Sequence, residues 1–166
     1  MIVLGIDPGT ATTGYGIIKY CGNKLTPIDC GVILTQASLD MPTRLSIIHS
    51  KLQLIIDQYK PEHMAVEDLY FSKNTKTGLS VGHARGVVLL SGKENNLLIG
   101  EYTPLQVKQA VVGYGRAEKS QVQKMVTIIL GLSETPKPDD AADAYAVAIC
   151  HAHSYKLNLM FSGEKR

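Results

Sequence analysis

Hydrophobic positions along the chain arrive in two rhythms. The first is unbroken: Ile2, Val3, Leu4 and Ile6 lead directly to Asp7, after which Pro8-Gly9 breaks the run. A continuous apolar stretch of this length predicts a strand covered on both faces. Pro8 biases Asp7 toward an extended backbone, so the carboxylate is held at the strand's end. Gly14 to Tyr20 predicts a second strand, Cys21-Gly22-Asn23-Lys24 a hairpin turn, and residues 28–35 a third strand. The rhythm then changes to threes and fours. Asp40 and Pro42 start a helix, and Leu45, Ile48, Leu52, Ile55 and Tyr59 form its single apolar stripe until Pro61 stops it. His63 to Glu67 predicts a fourth strand, again ending in a carboxylate.

A polar loop with aromatic residues, Tyr70-Phe71-Ser72-Lys73-Asn74, precedes a predicted helix over 76–92. Gly78, Gly82 and Gly86 fall on one face of that helix, each at a cost of about 1 kcal/mol relative to alanine. Such a bare face suits close approach by the domain's own sheet or by a partner subunit. Leu97 to Tyr102 predicts a fifth strand, and Pro104 opens a helix over 104–112. A turn with Gly113, Gly115 and Arg116 leads to a helix over 118–131, with Val122, Met125, Val126 and Ile129 facing inward. Pro136 and Pro138 mark a loop before a last helix from Asp139 to His153, and residues 156–166 are expected to fray from a single domain over 1–155. Three strands in a hairpin arrangement followed by alternating helices and strands imply an α/β protein, a mixed sheet with helices on both faces. Sheets of this kind place ligands at the ends of their central strands.

Composition narrows the class without choosing a chemistry. A chain of 166 residues with 45% hydrophobic and 19% charged residues is an ordinary globular domain. Its net charge of +2 permits a polyanionic partner without requiring one. Cys21, Cys30 and Cys150 have no metal-type spacing, and their odd number argues against a disulfide framework. With no signal-peptide pattern and no apolar stretch near the roughly 18 residues of a membrane span, a soluble, cytoplasmic protein is expected.

The acidic residues change the picture. Asp7 alone would serve as a turn residue bonded to its own backbone. The last helix, however, is small and apolar nearly all round, yet carries Asp140 and Asp143 on one face. Asp139 suits the N-cap, and first-turn acids favour the helix dipole. Capping therefore explains Asp139 and part of Asp140, but not Asp143, which lies deeper in a helix expected to be buried. With strands one and four as neighbours, Asp7, Glu67, Asp140 and Asp143 meet at one edge of the sheet. Four adjacent acids call for raised pKa values or bound cations. All-oxygen ligation points to Mg²⁺ or Mn²⁺, and two such ions about 3.5–4 Å apart form the clamp used for phosphodiester hydrolysis. Lys73, Lys76, Arg85, Lys108, Arg116, Lys119 and Lys124 all lie outside the first three strands, each either a solvated surface charge or a phosphate contact. Tyr70, beside Lys73, would stack on an unpaired base for roughly 1–3 kcal/mol, whereas Phe71 suits closure of the core. His83, His151 and His153 show no ligand pattern and are expected to be structural or surface residues.

At these residues the sequence resembles the RuvC family of Holliday-junction resolvases, whose fold is ribonuclease-H-like. The resemblance runs through Gly5-Ile6-Asp7-Pro8-Gly9, Thr13-Gly14-Tyr15-Gly16, Val66-Glu67, Lys73-Asn74 and Ala84-Arg85-Gly86. It continues through Gln106-Val107-Lys108-Gln109, Val111-Val112-Gly113, Ala117-Glu118-Lys119-Ser120-Gln121-Val122 and Asp140-Ala141-Ala142-Asp143-Ala144. It implies a five-stranded mixed sheet, antiparallel through strands 1–3 and parallel at strands 4 and 5. It also implies a homodimeric endonuclease that uses two Mg²⁺ ions per site, with Mn²⁺ as substitute, and cuts four-way junctions symmetrically. Asp7, Glu67, Asp140 and Asp143 match the family's metal-binding catalytic acids, and Lys108 and Lys119 its catalytic and DNA-binding lysines. Tyr70 matches an aromatic position set against bases near the junction centre, where phenylalanine is familiar. Lys73, Lys76 and Arg85 are the further DNA contacts expected, and the glycine-faced helix becomes the expected dimer interface. The implied partners are a junction-binding protein and a branch-migration motor of the RuvA and RuvB type. Three other readings were weighed. One is a ribonuclease-H-like nuclease acting on RNA. Another is an actin-like or sugar-kinase ATPase, which shares the Asp7-Pro8-Gly9-Thr10 turn but needs two lobes. The third is a junction-binding protein without catalysis.

Overall fold

The computed structural model describes residues 1–68 and 75–162, with side chains over 1–68 and 78–155. Strands β1 (Ile2–Asp7), β2 (Thr12–Cys21) and β3 (Lys24–Leu34) come first. They are followed by α1 (Met41–Tyr59), β4 (His63–Glu67), α2 (Thr75–Glu94), β5 (Leu98–Tyr102), α3 (Pro104–Val112), α4 (Lys119–Leu130) and α5 (Asp139–Ser162). The sheet has five strands in the order β3-β2-β1-β4-β5. Its first three strands are antiparallel, while β4 runs parallel to both β1 and β5. The mixed sheet and its strand pairing are those the sequence implied, and β1 lies at the centre.

Local signals set the element ends. The Thr43 N–H donates to Asp40 Oδ1 at 3.1 Å, capping α1, and Lys60 turns the chain in a left-handed conformation at its C-terminus. The buried stripe of α1 is Ile48, Leu52 and Ile56, with Leu45, Ile55 and Tyr59 packed at its margin. Thr103 caps α3 in a reciprocal capping box with Gln106, just ahead of Pro104. The closing helix α5 runs past the expected end at His153 to Ser162, because neither glycine nor proline interrupts the sequence before Gly163.

Strand parity divides the core in two. Leu4, Ile6, Met64 and Val66 face α1 and α2, meeting Ile48, Leu52 and Val88. Val3 and Ala65 face the opposite side, in a cluster with Val107, Val126, Tyr145 and Ile149 from α3, α4 and α5. Side chains alternate along a strand, so Asp7 and Glu67 share the α5 face with Val3 and Ala65. On α2, the packed positions are Ala84, Val88 and Ser91, whereas a Cβ at Gly86 would meet open space. The α2 glycine that touches the sheet is Gly92, whose Cβ would lie 2.8 Å from Met64 Sδ. At Gly86, then, the glycine face does not meet the domain's own sheet.

The contact that fixes the site is the seat of α5. A Cβ at Gly5 would collide with the Ala144 carbonyl oxygen, and one at Gly14 with the Asp140 carbonyl oxygen. At Gly16 it would come 2.8 Å from the Tyr145 backbone nitrogen. The helix answers with Ala141, Ala142, Ala144, Ala146 and Ala148, all fully buried. Helix backbone thus rests on strand backbone. Gly14→Ala should therefore cost about 1–3 kcal/mol through overpacking, measured as a lower urea midpoint at unchanged m-value. A change within about 0.5 kcal/mol, typical of a neutral surface site, would contradict this close seat.

Candidate active site

The parallel register of β1 and β4 pairs Ile6 with Val66, so the next residues, Asp7 and Glu67, emerge side by side at the C-terminal ends of both strands. The seat of α5 over Gly5 and Gly14 brings Asp140 and Asp143 to the same place. Asp7 and Glu67 lie close enough that each carboxyl acts on the protonation of the other. Lys119, the first residue of α4, places Nζ 2.8 Å from Asp143 Oδ2 and 3.6 Å from Asp139 Oδ2. Asp139, the extra acid beside the motif, therefore partners the lysine. Lys108 projects from α3 into a cleft of about 210 Å³ whose walls also hold Glu67, Asp143 and Lys119, with Val107 and Val122 as apolar surface.

Burial and mutual repulsion dominate the electrostatics. The Asp7 carboxyl is pushed up to about 6, first by burial and then by Asp143 and Asp140, with Lys119 opposing. Glu67 is pushed up to about 8, again first by burial and then by Asp7 and Asp143, so of the two Glu67 holds its proton to the higher pH. Asp143 is raised by burial, which outweighs the pull of Lys119. Burial pulls Lys119 down, but Asp143, Asp139 and Asp140 together hold it above its ordinary value. Acids this reluctant to ionise, all presenting oxygen donors, fit a divalent cation such as Mg²⁺ or Mn²⁺. As placed, they stand in two pairs, Asp7 with Glu67 and Asp143 with Lys119. Among the described residues no three acidic, imidazole or thiol side chains form a ready-made cage.

The other expected residues divide. Tyr70, Phe71, Lys73 and Asn74 lie outside the described residues, as does the side chain of Lys76, whose backbone belongs to α2. Arg116 and Lys124 are exposed. Arg85, expected as a DNA contact, is paired within the domain: its Nη2 pairs with Asp68 Oδ1 at 3.1 Å and with Glu101 Oε2. Sequence reading also missed a buried polar chain. His63 Nδ1 lies 2.8 Å from His151 Nε2, and Tyr102 Oη lies 2.9 Å from His151 Nδ1. Burial holds His63 below its usual range and drives His151 down to about 4, so both rings are neutral struts joining β4, β5 and α5. Their spacing in sequence carries no signal of this contact.

A mixed five-stranded sheet with acids ending its first and fourth strands and lining its closing helix defines a ribonuclease-H-like, metal-dependent nuclease. The profile of the family described as crossover junction endodeoxyribonuclease RuvC matches residues 3–151, and the chain belongs to that family. It is 58% identical over 158 residues to the crossover junction endodeoxyribonuclease RuvC of Halothermothrix orenii, covering 95% of this chain and 96% of that protein. It superposes on Thermus thermophilus RuvC in complex with Holliday junction substrate with a TM-score of 0.90 at 36% identity, covering 95% of this chain and 96% of that one. The yeast mitochondrial Holliday junction resolvase Ydc2 shares the fold at 15% identity, with a TM-score of 0.67 over 96% of this chain and 83% of that one. Among the described residues no helix is long and apolar enough to cross a membrane.

The raised acids set a pH dependence. Glu67 moves from 4.5 unfolded to about 8 folded and Asp7 from 3.8 to about 6, so the folded state binds more protons between these limits. The stability gained from protonation is lost as pH rises through the folded values. His63 and His151, held neutral by burial, act in the opposite sense only below their ordinary 6.5. Thermal melts in EDTA should therefore show Tm falling from about pH 6.5 to about pH 8, as Glu67 loses its proton, and levelling above that. Mg²⁺ should reduce that fall, and Glu67→Gln should flatten it. An EDTA profile already flat in wild type would contradict the clustered acids.

Proposed function

We infer that the chain is a structure-selective endodeoxyribonuclease that resolves four-way (Holliday) junctions during DNA recombination and repair, by metal-dependent phosphodiester hydrolysis. The observation that carries this reading is the convergence of Asp7, Glu67, Asp140 and Asp143, with Lys119 among them, beside a cleft that Lys108 also lines. The four acids would hold two Mg²⁺ ions, with Mn²⁺ as substitute, which would supply activation of the attacking water and stabilisation of the leaving 3′ oxygen. Lys119 keeps Asp143 toward its ionised form and offsets the site's excess negative charge. Lys108 and Lys119, both lining the cleft, would offset charge on the phosphate as it develops in the transition state. Val107 and Val122 add apolar surface to the cleft wall.

Asp7→Asn should lower junction cleavage in Mg²⁺ by about 100-fold or more, at least what losing a supporting residue of a metal site costs, while junction binding in Ca²⁺ persists. Loss of cleavage and binding together would make Asp7 structural. Linear duplex and RNA–DNA hybrid, tested alongside, separate junction resolution from an RNA-directed nuclease.

The finer features of the reading rest on residues and resemblance. Leu79 and Leu90 are 64% and 54% exposed on α2, and with Gly86 they form an unpartnered apolar stripe suited to a second copy of the chain. A symmetric homodimer would set two sites against the two opposed strands of a junction. Tyr70, Lys73 and Lys76 would contact DNA near its centre. A junction-binding protein and branch-migration motor of the RuvA and RuvB type would deliver the substrate, in the cytoplasm. Sedimentation should give a dimer at micromolar concentration and a monomer for Leu90→Asp. A wild-type monomer would refute the α2 interface.

A further inference from the structure

Arg85 reaches from α2 to the point where the chain leaves β4, and its side chain is only 18% exposed. Its Nη2 binds Asp68 Oδ1 at 3.1 Å and also Glu101 Oε2, while its Nε is buried with no hydrogen-bond partner among the described residues. Asp68 follows Glu67 directly, and its N–H donates to the Tyr102 carbonyl at 2.8 Å. Glu101 sits on β5 opposite Val66, one step before the Glu67–Tyr102 pair. Parity places Asp68 and Glu101 on the α2 side of the sheet and Glu67 on the α5 side. One guanidinium therefore ties together the two acids behind the strand end from which Glu67 projects.

We propose that Arg85 is a positioning residue of the nuclease site, holding the end of β4 against β5 so that Glu67 is presented to the divalent ion, and that it does not act as a DNA contact. The proposal rests on Glu67 being a metal ligand, as read above. Removing the guanidinium leaves Asp68 and Glu101 facing each other as like charges across the β4–β5 ladder. Both are about half exposed, at 45% and 48%, so water screens part of this repulsion and the damage is local to the strand end. Both contacts come from one nitrogen, Nη2, so the single ammonium of lysine can reproduce part of the tie.

Mn²⁺ binding to the DNA-free protein, measured by calorimetry, tests this directly. Arg85→Gln should weaken Mn²⁺ binding by about 10–100-fold, the cost of losing a supporting residue behind a metal ligand, and Arg85→Lys should recover part of it. Adding Glu101→Gln to Arg85→Gln should also recover part, since it removes one of the two repelling carboxylates. The Mg²⁺ concentration for half-maximal cleavage should rise in parallel, while junction affinity in Ca²⁺ and its salt dependence stay as in wild type. Unchanged Mn²⁺ affinity would overturn the proposal. So would weaker junction binding with a salt slope reduced by about 1, the mark of a lost phosphate contact. If Arg85→Gln does not fold, Glu101→Gln alone carries the test, with a smaller loss of Mn²⁺ affinity expected and no loss contradicting it. Failure of wild type to cut junctions would count against the function proposed above, whereas the Mn²⁺ comparison decides the role of Arg85 separately.

Discussion

The backbone of α5 rests on the backbone of β1 and β2, and the arrangement of the site follows from that contact. It exists because Gly5, Gly14 and Gly16 leave the sheet without side chains where the helix lies, and because the helix presents little but alanine to it. Any larger pair of surfaces would hold the two elements apart by the usual helix-on-sheet distance. At the close distance, Asp140 and Asp143 reach the end of β1, and strand parity turns Asp7 and Glu67 to meet them. Asp7 first looked like a turn residue following an apolar strand. Its position beside Glu67, under the first turns of α5, makes it the centre of the acid cluster.

That cluster is unfavourable to the apo protein. Burial and mutual repulsion raise Asp7 and Glu67 well above the ordinary carboxylate range, and Lys119 compensates only part of the charge. The opposing terms leave a site that gains most from a divalent cation and least from simple ionisation. The scaffold tolerates this because its two apolar clusters, one under α1 and α2 and the other under α3, α4 and α5, are dense and continuous. Positive charge enters from α3 and α4 rather than from the sheet, so Lys108 and Lys119 border the cleft that a phosphate would occupy.

Much of this was legible in the sequence because the signals were local. β4 ran from His63 to Glu67 as expected, bounded by Pro61 before it and a polar loop after it. α3 ran from Pro104 to Val112, since proline, capping threonine and a terminal glycine mark it directly. The four acids could be grouped because Asp7 and Glu67 each end an apolar strand and Asp143 interrupts an apolar helix beyond the reach of capping, with Asp140 on the same face. What escaped was non-local. The Lys119–Asp143 pair joins two helices, and Arg85 meets Asp68 and Glu101 only because β4 and β5 lie in register. The glycines of α2 were visible as a stripe, but periodicity alone did not say that Gly92 faces the sheet while Gly86 faces outward. The neutral His63–His151–Tyr102 chain gave no signal, because burial decides whether a histidine is a strut or a surface group.

Anomalous diffraction from crystals grown with Mn²⁺ tests the central claim, that the α5 seat assembles one metal site from four acids. Anomalous peaks bounded by Asp7, Glu67, Asp140 and Asp143, absent from Asp7→Asn crystals, are the predicted result. Mn²⁺ bound elsewhere, or bound equally well without the Asp7 carboxylate, would contradict it.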